Sequence, residues 1–310
     1  MSAVPTVAAD AGAAAVPETR RRARRRGAPP GGASTAFPTL FMLAFLVYFL
    51  MPLAWLLVAS TKSLDDLFSS FGLWFADFSL VDNISDTVTK DDGVFVTWFR
   101  NTLLYSVVSA VGAALLAAAA GYGFAKFEFR GKNLLFWFVL GSVMVPTTAL
   151  AIPTYLMFSE LGFTNNPLAI ILPSLVSPFG IYLMRIYAEA AVPDELIEAA
   201  RIDGAGEFHI FRRIAFRLLG PGFVTVLLFT FVSTWNNYFL PLVMLSEPRW
   251  YPLTVGLAQW NSQASAGGGA TAAFTTVITG SLLSVVPLII AFVFLQRYWQ
   301  SGLGTGGVKG

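Results

Sequence analysis

The chain has 310 residues, of which 55% are hydrophobic and only 12% charged. A water-soluble domain carries about twice that share of charge, so the composition excludes an ordinary soluble enzyme and makes lipid the natural solvent. The net charge of +2 hides an uneven placement of arginine, and the lack of cysteine removes disulfides, iron–sulfur clusters and zinc–thiolate sites.

Residues 1–36, rich in Ala, Pro, Gly and Arg, read as a disordered tail. Its Arg20, Arg21, Arg22, Arg24, Arg25 and Arg26 could mark a nucleic-acid patch or a twin-arginine signal. The apolar run that follows exceeds the roughly 7–15-residue core of a signal peptide, which favours a cytoplasmic anchor for a first membrane helix. Crossing the hydrocarbon core takes roughly 20 apolar residues. Six stretches qualify, 38–60, 102–124, 134–158, 168–184, 218–245 and 274–295, and none contains Asp, Glu, Lys, Arg or His. The fourth is short and carries Pro173 and Pro178, so it is expected to be broken or only partly regular.

Basic residues alternate between the two sides. Lys126, Arg130 and Lys132, then Arg185, Arg201, Arg212, Arg213 and Arg217, then Arg297 and Lys309 fall on the side of the amino-terminal arginines. The other side has Lys62, Lys90, Arg100 and Arg249. The positive-inside rule puts both termini in the cytoplasm and the Asp-rich loop 61–100 outside, where Asn83-Ile84-Ser85 matches the short glycan-acceptor pattern. The expected fold is an all-α polytopic membrane protein with six transmembrane helices. Its membrane domain covers 37–300, with a loop at 186–220 and a cytoplasmic tail at 301–310.

Catalytic chemistry is scarce. The only histidine is His209, in a loop, so no histidine triad or metal site can form in the membrane, and no Gly-x4-Gly-Lys-Ser/Thr phosphate loop is present. Proton-coupled pumps keep intramembrane carboxylates or histidines despite an insertion cost of about 2.5–3.5 kcal/mol per charge. This chain keeps none, which points to energy entering elsewhere, although a sodium site of carbonyls and amides stays open. No catalytic or metal-ligating residue is expected.

The place for energy to enter is the loop between the fourth and fifth spans. Pro193 suits a first helical turn, and Asp194 and Glu195 suit its positive end. Leu196, Ala199, Ala200 and Asp203 share one helical face, and Gly204 is placed to end the helix in the left-handed conformation. A second helix from about 207 to 219 leads back to the membrane, so the loop has the form of a lever.

The same residues carry a resemblance. Glu198-Ala199-Ala200, then Gly204, then Ile214 resembles the EAA loop of binding-protein-dependent ABC importer permeases. The longer string Pro193-x-Glu195-Leu196-x-Glu198-Ala199-Ala200-x-x-Asp203-Gly204-Ala205 is similar to the carbohydrate subclass, relatives of the smaller maltose-type permease subunit. Trp235-Asn236-x-Tyr238-x-x-Pro241 and the tail with Gly306, Val308 and Lys309 extend the similarity. The family continues with a proline where this chain has Arg217, which leaves the second loop helix without its usual kink. The resemblance implies the type I importer architecture and a coupling helix docked on a separate ATPase dimer that holds ATP and magnesium. It further implies a second permease subunit, an extracytoplasmic solute-binding protein, tail contacts to the ATPase, and a sugar or oligosaccharide as cargo. No cofactor on this chain and no nucleic acid are implied. Another small solute, or an ion-coupled secondary transporter, is the alternative.

Two span features have double readings. Thr230, Ser233, Thr234 and Asn237 form a polar stripe on the fifth span, with Trp235, Asn236 and Tyr238 beside it. They could line a sugar path, or act as interhelical hydrogen-bond glue. Ser109, Ala113, Ala117 and Gly121 give the second span a small-residue face for close packing, against a helix of this chain or of a partner.

Overall fold

A computed structural model describes residues 32–266 and 273–303, with side chains placed at 36–266 and 273–296. The arginine cluster of the tail and Gly306, Val308 and Lys309 lie outside the described residues. Among the described residues every regular element is helical.

By its contacts the chain divides into residues 1–51 and 52–310. In the first unit α1 (Gly32–Ser60) begins six residues before the apolar stretch at 38. From Phe37 to Met51 its large apolar side chains, including Phe41, Phe45 and Phe49, are exposed, as lipid-facing residues are.

In the second unit α2 (Leu64–Ser69) starts where the Asp66 amide donates to the Ser63 hydroxyl, with Asp65 and Asp66 in the first turn. The 61–100 segment, expected as a loop, is largely helical, because α3 (Leu80–Lys126) starts within it. A break over Lys90–Gly93 interrupts α3, with Asp91, Asp92 and Gly93 all left-handed at φ 49, 58 and 77 degrees. The acceptor pattern at Asn83 has no free amide. Asn83 is buried, and its Nδ2 donates to the Ser60 and Lys62 carbonyls at 2.9 and 2.8 Å.

The 134–158 stretch forms α4 (Lys132–Val143) and α5 (Ala151–Glu160). Between them, bonds three residues long, from Met144 to Gly141 and from Ala149 to Pro146, replace the α-helical ladder around Pro146. α6 (Leu168–Ser174) and α7 (Pro178–Ala191) together make one crossing-length run with a joint at Ser177. The loop contributes α8 (Asp194–Ile202), α9 (Glu207–Ile210), a π-helical stretch Phe211–Ala215 and α10 (Phe216–Leu218). α11 (Gly220–Trp235) and α12 (Phe239–Met244) split the fifth stretch, and a 3-10 turn at Pro248–Trp250 leads to α13 (Leu253–Ser265) and α14 (Ala273–Leu303).

Among the described residues, four helical runs are long and apolar enough to cross a membrane: Ala36–Ser60, Leu80–Lys126, Leu168–Ala191 and Ala273–Gln296. A fifth exists if Glu207–Leu218 and Gly220–Trp235, bent by 79°, count as one. Of the six expected stretches, 134–158 and 218–245 are the ones not formed as single long helices: Pro146 interrupts the first and the 236–238 segment the second, whereas 168–184, expected to be broken, lies in a crossing-length run.

α3 is the central helix, flanked by α7, α11 and α14. Its small-residue face packs against α7 of the same chain. A Cβ added at Gly121 would lie 2.7 Å from the Arg185 backbone nitrogen, and one at Gly180 would lie 3.1 Å from the Ala117 Cβ. Backbones this close are what small residues permit between membrane helices. The core falls into separate clusters along α3. Tyr122, Met184, Ala188, Ile197, Ile210 and Leu219 gather near its carboxyl end, and Phe95, Trp98, Trp235, Leu253 and Trp260 toward its start.

Candidate functional site

The loop is built from its own short-range preferences. α7 ends at Ala191, Val192 turns, and Pro193 sits extended (φ −64, ψ 138) as the cap residue immediately before α8. Asp194 and Glu195 then occupy the first turn and Arg201 the last, each sign complementing the helix dipole. At the far end Asp203 caps the helix and Gly204 is left-handed at φ +80. The Ala205 amide donates to the Ala200 carbonyl at 2.9 Å and the Gly204 amide to that of Arg201 at 3.0 Å. This pair of bonds is the Schellman closure expected of a glycine in that position.

The face shared by Leu196, Ala199, Ala200 and Asp203 is not buried as a whole. Ile197 and Ala200 point into the cluster with Tyr122, Met184 and Ile210, whereas Leu196, Ala199 and Asp203 are exposed. Ala200 alone of the expected face is buried. Leu196, Ile202 and Phe208 leave an apolar surface outward, and Ile202 is 87% exposed. Glu195 and Glu198 are exposed beside it, and neither makes a hydrogen bond among the described residues. Ile214, on the π-helical stretch, packs against the same cluster from the other side.

Two ion pairs brace the loop. Lys126 Nζ, at the end of α3, donates to Asp194 Oδ1 at 2.7 Å, its side chain 6% exposed against 73% for Asp194. Arg201 Nε donates to Glu207 Oε1 at 2.6 Å across the Gly204 turn, and that hydrogen bond is the main cause holding the guanidinium above its ordinary pKa. With Arg217 in place of a proline the second loop helix is expected to be unkinked, yet it bends where it meets α11. The helical run from Glu207 turns by 79° at Leu219, just ahead of Pro221, which lacks the N–H to continue the ladder.

The polar stripe divides. Thr234 and Trp235 are buried, and Trp235 packs against Phe231 and edge-on to Phe99, with ring centroids 5.5 and 6.1 Å away. Thr230 and Asn237 are partly buried, while Ser233, Asn236 and Tyr238 are exposed. Asn236 Nδ2 donates back to the Val232 carbonyl at 2.9 Å, and the Asn237 carbonyl accepts from Thr254 Oγ1 of α13 at 2.7 Å. α11 therefore ends where α13 supplies a donor for its freed carbonyl.

Side chains on α3 that sequence reasoning passed over hold the far end together. Trp98 Nε1 donates to the Pro248 carbonyl, Asn101 Nδ2 to those of Arg249 and Tyr251, and Tyr105 Oη to that of Trp250, all at 2.8–3.1 Å. Thr102 Oγ1 accepts from the Leu253 amide at 2.7 Å. The signal was present as hydrogen-bonding side chains at 98, 101, 102 and 105, one face of a helix.

The fold and this loop define a class: an all-helical, multi-pass membrane protein with an amphipathic helix held between two crossing segments. Residues 110–300 match the family described as binding-protein-dependent transport system inner membrane component, and the chain belongs to that family. It is therefore a multi-pass protein of the plasma membrane. It is 34% identical, over 72% of this chain and 77% of the relative, to the arabinooligosaccharides transport system permease protein AraQ of Halalkalibacterium halodurans. The AraQ protein of Bacillus subtilis is 32% identical over 88% of this chain and 95% of its own length. The lactose transport system permease protein LacG of Rhizobium radiobacter is 29% identical, again over 88% and 95%. Among solved structures, a bacterial ABC transporter involved in the import of the acidic polysaccharide alginate shares the fold. The TM-score is 0.75 at 23% identity, over 86% of this chain and 96% of that one.

Proposed function

We propose that this chain is one of two permease subunits of an ATP-driven, binding-protein-dependent importer, and that its cargo is a sugar or oligosaccharide. The cargo follows from the relatives, whose names describe transport of arabinooligosaccharides, lactose and diacetylchitobiose. The observation that carries the energy-coupling reading is α8: a short helix closed by Gly204, with an apolar outer surface at Leu196 and Ile202 and the exposed carboxylates of Glu195 and Glu198 beside it. Such a surface fits a groove on a protein partner.

A separate ATPase dimer binds ATP and magnesium, and this chain performs no catalysis. When the ATPase halves close, they carry α8 with them. Ile197, Ala200 and the Lys126–Asp194 pair pass that displacement to α3 and α7, and the run from Glu207 to Leu219 passes it to α11. A binding protein delivers solute to the opposite side. Both termini then lie in the cytoplasm, with α4–α5 and α11–α12 each making one interrupted crossing, six in all. Ser233, Asn236 and Tyr238, the exposed members of the stripe, are the candidates for contact with cargo or with the second permease.

Gly204→Val and Glu198→Ala test the coupling step. Both variants insert normally, since neither touches an apolar span. Co-purification of the ATPase with each variant, followed by ATP-driven uptake in proteoliposomes, is expected to show docking or uptake reduced. Wild-type docking together with wild-type uptake in both would remove the lever assignment.

A further inference from the structure

At the end of the bundle away from Gly204, the chain leaves α1 and buries a cation. Lys62 is 1% exposed, and no carboxylate lies within ion-pair distance of it among the described residues. Its Nζ donates to Ser70 Oγ at 2.8 Å and to the Phe71 carbonyl at 2.7 Å. An ammonium has three N–H groups, so one is left over. A buried charge without a counter-charge is costly, and the cost falls when an anion is brought beside it.

Lys62 lines a cavity of about 200 Å³ with Trp55, Phe68, Gly72, Phe274 and Ile278. The indole N–H of Trp55 makes no hydrogen bond among the described residues, and it faces Gly72, where an added Cβ would sit 3.8 Å from Nε1. Lys62 and Trp55 are the lining residues that carry a polar side-chain group, and each of these groups is a donor and not an acceptor. That is the chemistry of an anion site.

The surroundings name the source of the anion. α2 and the segment after it follow directly on the end of a membrane helix, and Phe68, Phe71, Trp74, Phe75 and Phe78 are all exposed there. Trp74 is of the type that sits at the headgroup level of a membrane, and the exposed phenylalanines around it add apolar surface for acyl chains. The cavity has room for a phosphodiester but not for a whole lipid, and exposed Phe68 on its rim offers a surface for acyl chains. We propose that the Lys62 cavity binds the phosphate group of an anionic phospholipid, with Lys62 and Trp55 as its donors.

The test uses the full chain in its purified complex, delipidated in detergent and titrated by native mass spectrometry. The probes are phosphatidylglycerol, phosphatidylcholine and inorganic phosphate. Phosphatidylglycerol is expected to bind about fivefold more tightly than phosphatidylcholine, the effect of one basic residue on an anionic headgroup. Inorganic phosphate is expected not to displace it. Lys62→Met and Gly72→Leu should each erase the preference. A Cβ at Gly72 would meet nothing nearer than 3.8 Å, so Gly72→Leu builds into the cavity from its wall and leaves the Lys62 side chain itself in place, and it decides the matter if Lys62→Met does not fold. Equal binding of the two lipids, or a preference that survives Gly72→Leu, would overturn the proposal. Displacement by inorganic phosphate would assign the cavity to the free ion and overturn the lipid assignment.

Discussion

Two left-handed breaks, at opposite ends of the central helix bundle, show how differently a chain can be turned. At Gly204 the turn is glycine, open on all sides (an added Cβ would meet nothing within 4 Å) and closed by backbone bonds to its own helix. At 91–93 three consecutive residues are left-handed, two of them aspartates, which adopt that conformation less readily than glycine. Asp91-Asp92-Gly93 forms a kink inside α3. It is held from outside, where Trp260 Nε1 of α13 donates to Asp91 Oδ2 at 3.0 Å and the Lys90 ammonium lies 5.8 Å from the Trp260 ring centroid. The first break belongs to its sequence and the second to its packing.

Removing that packing should show the difference most strongly. A Cβ at Gly256 would lie 2.1 Å from Trp98 Cε3, and the buried Trp98 ring packs at a tilt against Trp260, with centroids 4.8 Å apart. Gly256→Ala is therefore expected to destabilise the protein by about 3 kcal/mol, the upper range for overfilling a core. A fall in the thermal midpoint of the purified chain, with loss of monodisperse material, checks it. An unchanged midpoint would mean that α13 is not tightly seated on α3.

Trp260→Phe keeps most of the ring but deletes the donor to Asp91. A loss of about 1–2 kcal/mol is expected, since the hydrogen bond reaches a charged acceptor. Hydrogen exchange should rise at the kink around Asp91 while the amides of α8 stay as they were. Exchange rising equally at both ends would erase the contrast.

The smallest effects carry opposite signs. Asp92→Gly relieves a left-handed aspartate and should stabilise by about 0.5–1 kcal/mol, whereas Gly204→Ala adds that strain and should cost about 1 kcal/mol. Paired thermal midpoints of the two variants decide it, and shifts of the same sign would refute the strain argument at one site or the other.

Much of the loop was legible beforehand. Gly204 follows Asp203 where a helix terminator belongs, and Asp194 and Glu195 suit the first turn, as the structure has them. The buried face was not legible. Leu196 is more apolar than Ala200, yet Ala200 lies inside and Leu196 outside, because α8 packs on Tyr122 and Ile210, whose approach no spacing within α8 reveals. The fifth stretch shows the same limit. It is uncharged from 218 to 245, but the helix stops at Trp235, and just beyond it Thr254 of α13 takes up the Asn237 carbonyl.

What the sequence determined by itself rests on properties each segment carries alone. Apolar length puts a helix in lipid, proline withholds a donor at 146 and 221, and glycine accepts a positive φ at 204. The tertiary structure decided everything that depends on a second segment arriving. It chose α7 as the neighbour of the small-residue face at Gly121, and it gave the Asn83 amide to the end of α1 rather than to solvent. It also buried Lys62 without a carboxylate and held Asp91 in a conformation that glycine adopts more readily. A lone segment in lipid has only its own backbone to satisfy, whereas close contact with a neighbour can stabilise a conformation that is locally unfavourable, and that contact is absent from any single stretch of sequence.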